Sequence, residues 1–271
     1  MIRANYHTHT VFCDGRDTPE EIVRTALQKG FTHLGFSGHM DPDIHMDLGA
    51  YMQEIRRLKE LYRDEIDIFA GIELDNLYDP SCAAEAEYVI GSTHFLDVES
   101  PVPMSVDNTE EIFARLCHEY FGDDYYRLAK AYYDLEARVY DRLHCTFVGH
   151  FDLVTRFNDS MHVLDETDKR YTIPALEAME YLVSEDVPFE INCGAVNRGR
   201  KKELYPNRFL LKKLSEMGGR ILLSSDAHQK ELLDGGFDTA VETAIQCGFT
   251  HVQMLVHDKE GNVCLTERAL R

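Results

Sequence analysis

Histidines and carboxylates stand at the ends of several short apolar segments of this 271-residue chain. The first two are His7 and His9, which point to the same side of an extended segment because side-chain direction alternates along a strand. Similar residues close later apolar segments, namely His39 after HLGFSG, Glu73 after DIFAGI, His94 after YVIGST, His150 after CTFVG, and Asp226 with His228 after RILLSS. So many polar groups would be costly to bury without a bound ion, and the pattern therefore predicts a metal cluster.

The types of these residues indicate which metal ions could bind and which reaction they would support. Imidazole and carboxylate ligands without thiolate are typical of zinc, manganese or iron. The ligands outnumber what one ion needs, and a carboxylate such as Glu73 can bridge two ions, so we expect two or three divalent metal ions. Two ions that share a water molecule favour hydrolysis, with phosphate esters as the natural substrates.

Two arginines follow strand ends and are predicted to bind phosphate. Arg156 lies six residues after His150, and Arg198 follows the strand end at Asn192-Cys193-Gly194. The planar guanidinium group matches phosphate oxygens. The nearby run Arg200-Lys201-Lys202 is instead predicted to be solvent-exposed.

Strand-like and helical segments alternate along the chain. The strands are predicted near 3–8, 33–39, 67–73, 87–94, 145–150, 187–193, 220–226 and 251–256, and well-marked helices near 18–30, 47–65 and 230–248. The first helix has an N-cap at Thr18, proline at its first position and a capping-box glutamate at Glu21. About seven such units predict an α/β fold with a closed parallel barrel, whose chemistry sits at the C-terminal ends of the strands.

One long insertion, at about 96–143, interrupts this alternation of strands and helices. Insertions of this length are typical of lids over a substrate site. Its aromatic residues either stack on a flat substrate ring or pack its helices against the barrel; they are Tyr120, Phe121, Tyr125, Tyr126, Tyr132, Tyr133 and Tyr140.

Composition limits the partners. The formal net charge of −20 opposes binding to nucleic acid, but it does not oppose a small phosphorylated substrate at a metal-rich pocket. The sequence predicts a single domain over residues 1–271 that neither enters a membrane nor carries a signal peptide, and hence a cytoplasmic location. It does not indicate an oligomeric state.

Taken together, the motifs resemble the polymerase and histidinol phosphatase (PHP) family. The resemblance rests on His7-x-His9, Gly38-His39, Gly71-Ile72-Glu73, Gly91-Ser92-Thr93-His94, Gly149-His150-Phe151-Asp152 and Ser225-Asp226-Ala227-His228. It implies a distorted seven-stranded (β/α)7 barrel of the TIM type with a trinuclear metal centre. The resemblance assigns His7, His9, Glu73 and Asp226 to the first metal, Glu73, His94 and His150 to the second, and Asp14, His39 and His228 to the third.

Within the family, the length, the insertion and the segment GHFDLVTRF are similar to phosphatases that hydrolyse L-histidinol phosphate to L-histidinol and phosphate in histidine biosynthesis. The implied mechanism is in-line attack of a metal-bridging hydroxide, with Glu73 as the bridge and Arg156 and Arg198 neutralising the phosphoryl oxygens. Asp226 and His228 are the catalytic residues considered for protonating the leaving group. Two alternatives stay open. One is a PHP phosphoesterase that acts on another small phosphate ester, such as a nucleotide, a sugar phosphate or a phosphodiester, and the other is a non-catalytic metal-binding module.

Overall fold

The computed structural model describes residues 2–270, in which helices alternate with strands along most of the chain. In chain order the strands are β1 (Ala4–Asn5), β2 (His33–Met40), β3 (Asp67–Asp75), β4 (Tyr88–Ser92), β5 (Phe95–Leu96), β6 (Met104–Ser105), β7 (Phe147–Val148), β8 (Phe189–Asn192), β9 (Ile221–Ser224), β10 (His251–His257) and β11 (Val263–Ala269). The α-helices are α1 (Pro19–Gln28), α2 (Leu48–Leu61), α3 (Glu110–Phe121), α4 (Tyr125–Glu136), α5 (Val139–Leu143), α6 (Asn158–Met161), α7 (Lys169–Ser184), α8 (Gly194–Asn197), α9 (Arg208–Glu216) and α10 (Phe237–Cys247). Short 3-10 helices occupy Pro80–Glu85, Leu153–Thr155 and Lys230–Leu232.

Seven of the strands form one parallel sheet in the order β1-β2-β3-β4-β7-β8-β9. Beyond the two outer strands, the His9 amide donates to the Ala227 carbonyl at 2.9 Å and the Ala227 amide donates to the His7 carbonyl at 3.2 Å. These bonds join the first strand to the last, so the sheet curls into a nearly closed barrel. The barrel predicted from the alternation of strands and helices is confirmed.

A tyrosine fills the interior of this barrel. Tyr88 is buried, and its hydroxyl donates to the carbonyls of Tyr6 at 2.6 Å and Phe36 at 2.9 Å. The ring lies against Gly35 and Gly71, where the Cβ of any larger residue would overlap it. Glycine at these two positions therefore permits the close approach that packs the barrel.

The helices that cover the barrel follow the predicted signals, with one difference. In α1 the Thr18 hydroxyl accepts from the Glu21 amide at 3.4 Å, while the Glu21 carboxylate accepts from the Thr18 amide at 3.0 Å, which completes the predicted capping box. The segment predicted to be helical near 230–248 is helical only from Phe237 to Cys247. Gly236 takes the left-handed conformation, with φ of 76°, and separates this helix from the short 3-10 turn before it.

The inserted segment consists of the hairpin β5–β6 followed by α3, α4 and α5. Tyr132 and Tyr133 of α4 are buried, and the Tyr132 hydroxyl donates to the Phe151 carbonyl at 3.2 Å. These contacts support the packing alternative for both residues. After the last barrel strand, β10 and β11 form a separate antiparallel hairpin. Within residues 2–270, no helix has the length and apolar character needed to cross a membrane.

Candidate metal centre

The polar residues predicted at the strand ends converge at one end of the barrel. His39 of β2 pairs in register with Glu73 of β3, which places their side chains next to each other. His94 and His150 follow β4 and β7, while Asp226 and His228 follow β9. Parallel strands bring their C-terminal ends to the same edge, which explains why residues so distant in sequence meet here.

Glu73 lies at the centre of this cluster, and its two oxygens face different groups of histidines. Oε2 lies 3.1 Å from His7 Nε2 and 3.2 Å from His39 Nδ1. Oε1 lies 3.2 Å from His94 Nε2 and 2.9 Å from His150 Nε2. The carboxylate thus has the geometry of a group that can bridge two ions.

Groups of three or four potential ligand atoms surround this carboxylate. Within each group the ligand atoms lie within 4.8 Å of one another; the groups are His9, Asp14, His39 and His228; His7, His9 and Asp226; Glu73, His94 and His150; and His39, Asp41 and His94. The first three groups contain every residue predicted to bind metal. Asp41 was not predicted.

The environment of these atoms suits cations. His7 Nε2, His9 Nε2 and Glu73 Oε2 are buried and have no hydrogen-bonding partner among residues 2–270. Burial, together with the neighbouring His228 and His39, lowers the pKa of His9 to about 3, so its ring stays neutral and able to ligate at pH 7. The donor set therefore fits divalent ions with nitrogen and oxygen ligands.

A second buried carboxylate contacts two of these histidines. Glu190 of β8 is fully buried, and its Oε2 lies 3.0 Å from His7 Nδ1. Its Oε1 accepts from the His150 amide at 2.7 Å. Burial opposes a charge on His7, but Glu190, Glu73 and Asp226 outweigh it and raise the pKa of the imidazole. A proton on Nδ1 directed at Glu190 leaves Nε2 facing the cluster.

The centre opens into a cavity of about 300 Å³ whose wall carries arginines as well as carboxylates. The arginines lining it are Arg16, Arg156, Arg198 and Arg200. Arg198 is held by Asp226, donating to its carboxylate at 3.0 Å and its carbonyl at 2.7 Å. Arg156 is less constrained, since its Nη1 lies 3.8 Å from the nearest carboxylate, Asp107. Several arginines thus meet at one cavity of a strongly acidic chain.

The structure corrects one prediction and adds residues that the sequence did not suggest. Lys201, predicted to be exposed, is 7% exposed, because its ammonium group donates to the Thr155 hydroxyl at 2.6 Å. Arg200 is exposed, as predicted, yet lines the cavity. Glu190 has a weak sequence signal, a lone carboxylate inside the apolar segment VPFEIN.

Known proteins resemble this chain over most of its length. A Schizosaccharomyces pombe protein named "Probable histidinol-phosphatase" is 26% identical, over 94% of this chain and 90% of the relative. The Bacillus subtilis histidinol-phosphatase is 25% identical, over 84% of this chain and 94% of the relative. A crystal structure of the Lactococcus lactis histidinol phosphate phosphatase, complexed with zinc, L-histidinol and phosphate, has a TM-score of 0.71 at 23% identity. It covers 93% of this chain and 96% of that one, and the likeness shows a common fold.

The model of one protein family also matches. It is the PHP domain, and it matches residues 5–194. This range includes the barrel strands β2, β3, β4, β7 and β8 and seven of the histidines and carboxylates predicted to bind metal, namely His7, His9, Asp14, His39, Glu73, His94 and His150. The match spans more than half of the chain and agrees with the barrel and with the strand-end residues. This chain belongs to the PHP domain family.

Proposed function

We propose that this protein is a metal-dependent phosphomonoesterase that hydrolyses L-histidinol phosphate to L-histidinol and phosphate. The observation that carries the proposal is Glu73, whose two oxygens face two sets of histidines beside an arginine-lined cavity. That arrangement suits a multinuclear hydrolytic centre for phosphate esters. The choice of ester rests on the relatives, which are named histidinol-phosphatases.

The proposed ligand sets follow the groups around Glu73. His7, His9, Glu73 and Asp226 would hold the first ion, Glu73, His94 and His150 the second, and Asp14, His39 and His228 the third. Bound divalent ions would supply positive charge for the phosphoryl oxygens and lower the pKa of a nearby water molecule. Zinc, manganese and iron all match these ligands, and the Lactococcus lactis structure contains zinc.

Side chains of the cavity wall are proposed to bind the phosphate and to deliver the proton to the leaving group. Arg156 is proposed to donate to the phosphoryl oxygens, because it lines the cavity and its ion pair with Asp107, at 3.8 Å, is too long for a hydrogen bond. Arg198 is proposed to hold Asp226 in place and to add a second cation at the phosphate. Asp226 and His228 also line the cavity, which supports a role for either in delivering a proton to the leaving oxygen.

The proposed partner is therefore a small phosphorylated molecule. A net charge of −20 disfavours nucleic acid as a partner, and the cytoplasmic location remains a prediction.

The test is phosphate release by metal-reconstituted protein from a panel of L-histidinol phosphate, nucleotides, sugar phosphates and a phosphodiester. We expect kcat/KM for L-histidinol phosphate to exceed the others at least about a hundredfold, or about 2.7 kcal/mol of transition-state preference. The variant Glu73→Gln, purified in the same way, should show no turnover and so excludes a contaminating phosphatase. A flat profile, or a preference for another ester, would overturn the assignment of substrate.

A further inference from the structure

A carboxylate on the inserted segment also lines the cavity. Asp107 follows β6, and its side chain lines the cavity with 22% exposure. The loop that carries it is fixed to the barrel, since the Val106 amide donates to the His94 carbonyl at 2.8 Å. The Ser105 hydroxyl donates to Asp107 Oδ1 at 3.0 Å, which orients the carboxylate.

Asp107 differs from the other acidic residues of the cavity wall. Asp14, Glu73 and Asp226 all belong to the groups of potential metal ligands, whereas Asp107 belongs to none of them. Its Oδ2 accepts no hydrogen bond from the residues that the structure describes. The nearest cation is Arg156, whose Nη1 lies 3.8 Å away. That distance is within the range of an ion pair but longer than a hydrogen bond, so Oδ2 can still accept a hydrogen bond from a ligand.

This arrangement places a free carboxylate oxygen beside the side chain proposed to bind the phosphoryl group. A phosphate ester held by Arg156 would present its leaving group to the neighbouring wall of the cavity. In L-histidinol phosphate the carbon next to the ester carbon bears an ammonium group. A carboxylate close to the phosphate site is thus well placed to accept a hydrogen bond from that ammonium group.

We propose that Asp107 is the specificity-determining residue that binds the ammonium group of the substrate, and so selects phosphate esters with an amine on the adjacent carbon. This inference rests on the proposed function for the identity of the natural ester. It assigns to the insertion a direct part in substrate choice.

The test compares pairs of esters that differ only in the amine. One pair is L-histidinol phosphate and its desamino analogue, and the other is phosphoethanolamine and ethyl phosphate. Asp107→Asn should lower kcat/KM for the amine-bearing member of each pair by about 10- to 100-fold, the usual effect of losing a hydrogen bond to a charged group, and leave the other member unchanged. The matched control is Asp97→Asn, which removes the same charge from an exposed position of the same insertion. Arg156→Ala should instead impair all four esters.

The outcomes separate the inference from the proposed function. Equal losses of kcat/KM for both members of each pair would mean that Asp107 acts only through Arg156 or the fold, and would overturn the inference. Selective loss for phosphoethanolamine, in a protein that does not prefer L-histidinol phosphate, would support Asp107 as the amine site and contradict the proposed substrate. Unchanged discrimination in Asp107→Asn would overturn the inference even if L-histidinol phosphate is the best substrate.

Discussion

At the scale of single residues, Glu190 connects the barrel core to the metal centre. The Glu190 carboxylate accepts hydrogen bonds from the Ser224 hydroxyl, from the side-chain amide of Asn192 at 2.8 Å and from the backbone amide of His150. It also faces His7 Nδ1. A buried carboxylate with this many donors is held rigidly and stays ionised. His7, which follows β1 and is distant from Glu190 in sequence, therefore has a fixed ring orientation.

Glu190→Gln should weaken metal binding without removing any proposed ligand. The amide is neutral and orients His7 less strongly, so we expect metal affinity to fall by about 10- to 100-fold. Competition with a chromophoric chelator measures the affinity. Glu180→Gln, an exposed position on α7, is the matched control and should bind metal like the unaltered chain. An unchanged affinity in Glu190→Gln would contradict the supporting role.

The residues that could be predicted from sequence share one property. His39, Glu73, His94 and His150 each end an apolar segment, so the alternation of side chains along a strand indicates where they point. Asp14 has no such segment before it and came from the family resemblance alone. The roles of Glu190 and Lys201 were not predicted, because they depend on tertiary partners such as His7 and Thr155; the apolar segment around Glu190 indicates only that its carboxylate is buried.

At the scale of elements, helix α4 of the insertion carries an unusual buried acid. Glu136 is its last residue, is fully buried, and has no hydrogen-bonding partner for either oxygen among the described residues. Burial raises the pKa of Glu136 to about 8, and the partial negative charge at the helix C-terminus acts in the same direction. The helix is therefore docked on the barrel with a protonated carboxyl group at neutral pH.

This docking should make stability depend on pH. The folded-state pKa lies above the unfolded value, so the folded chain binds more protons and its stability falls as pH rises from about 4.5 to about 8. Between pH 5 and pH 8 the unaltered chain should lose up to about 4 kcal/mol more in free energy of unfolding than Glu136→Gln does. Chemical denaturation at both pH values, with chelator present, measures this difference. Because each protein is compared with itself at the two pH values, the cost of burying the neutral amide in Glu136→Gln cancels. Identical pH dependence in the two proteins would show that Glu136 is not protonated in the folded state.

The order of the elements could be predicted better than their boundaries. The eight segments predicted to be strands all contain strands, because their apolar character is local. The predicted start of α10 was wrong, because Gly236 lies inside an otherwise helical sequence pattern and takes a left-handed conformation just before the helix begins. The hairpin β5–β6 was not predicted at all, since its strands are two residues long.

At the scale of the whole molecule, charge is distributed unevenly. The chain carries a formal net charge of −20, yet four arginines line one cavity above a cluster of histidines and carboxylates. Charges inside a cleft with low-dielectric walls act more strongly than charges spread over the surface. The strongly acidic chain thus has a cavity that suits divalent cations and, under the proposed function, a phosphate ester.

The central claim is that bound divalent ions at the Glu73 cluster carry the hydrolysis of L-histidinol phosphate. The most direct measurement is phosphate release by chelator-treated protein as zinc or manganese is added back in known equivalents per chain. We predict no turnover in the metal-free protein and a rise that levels off at two or three equivalents. Full turnover in the metal-free protein would contradict the account.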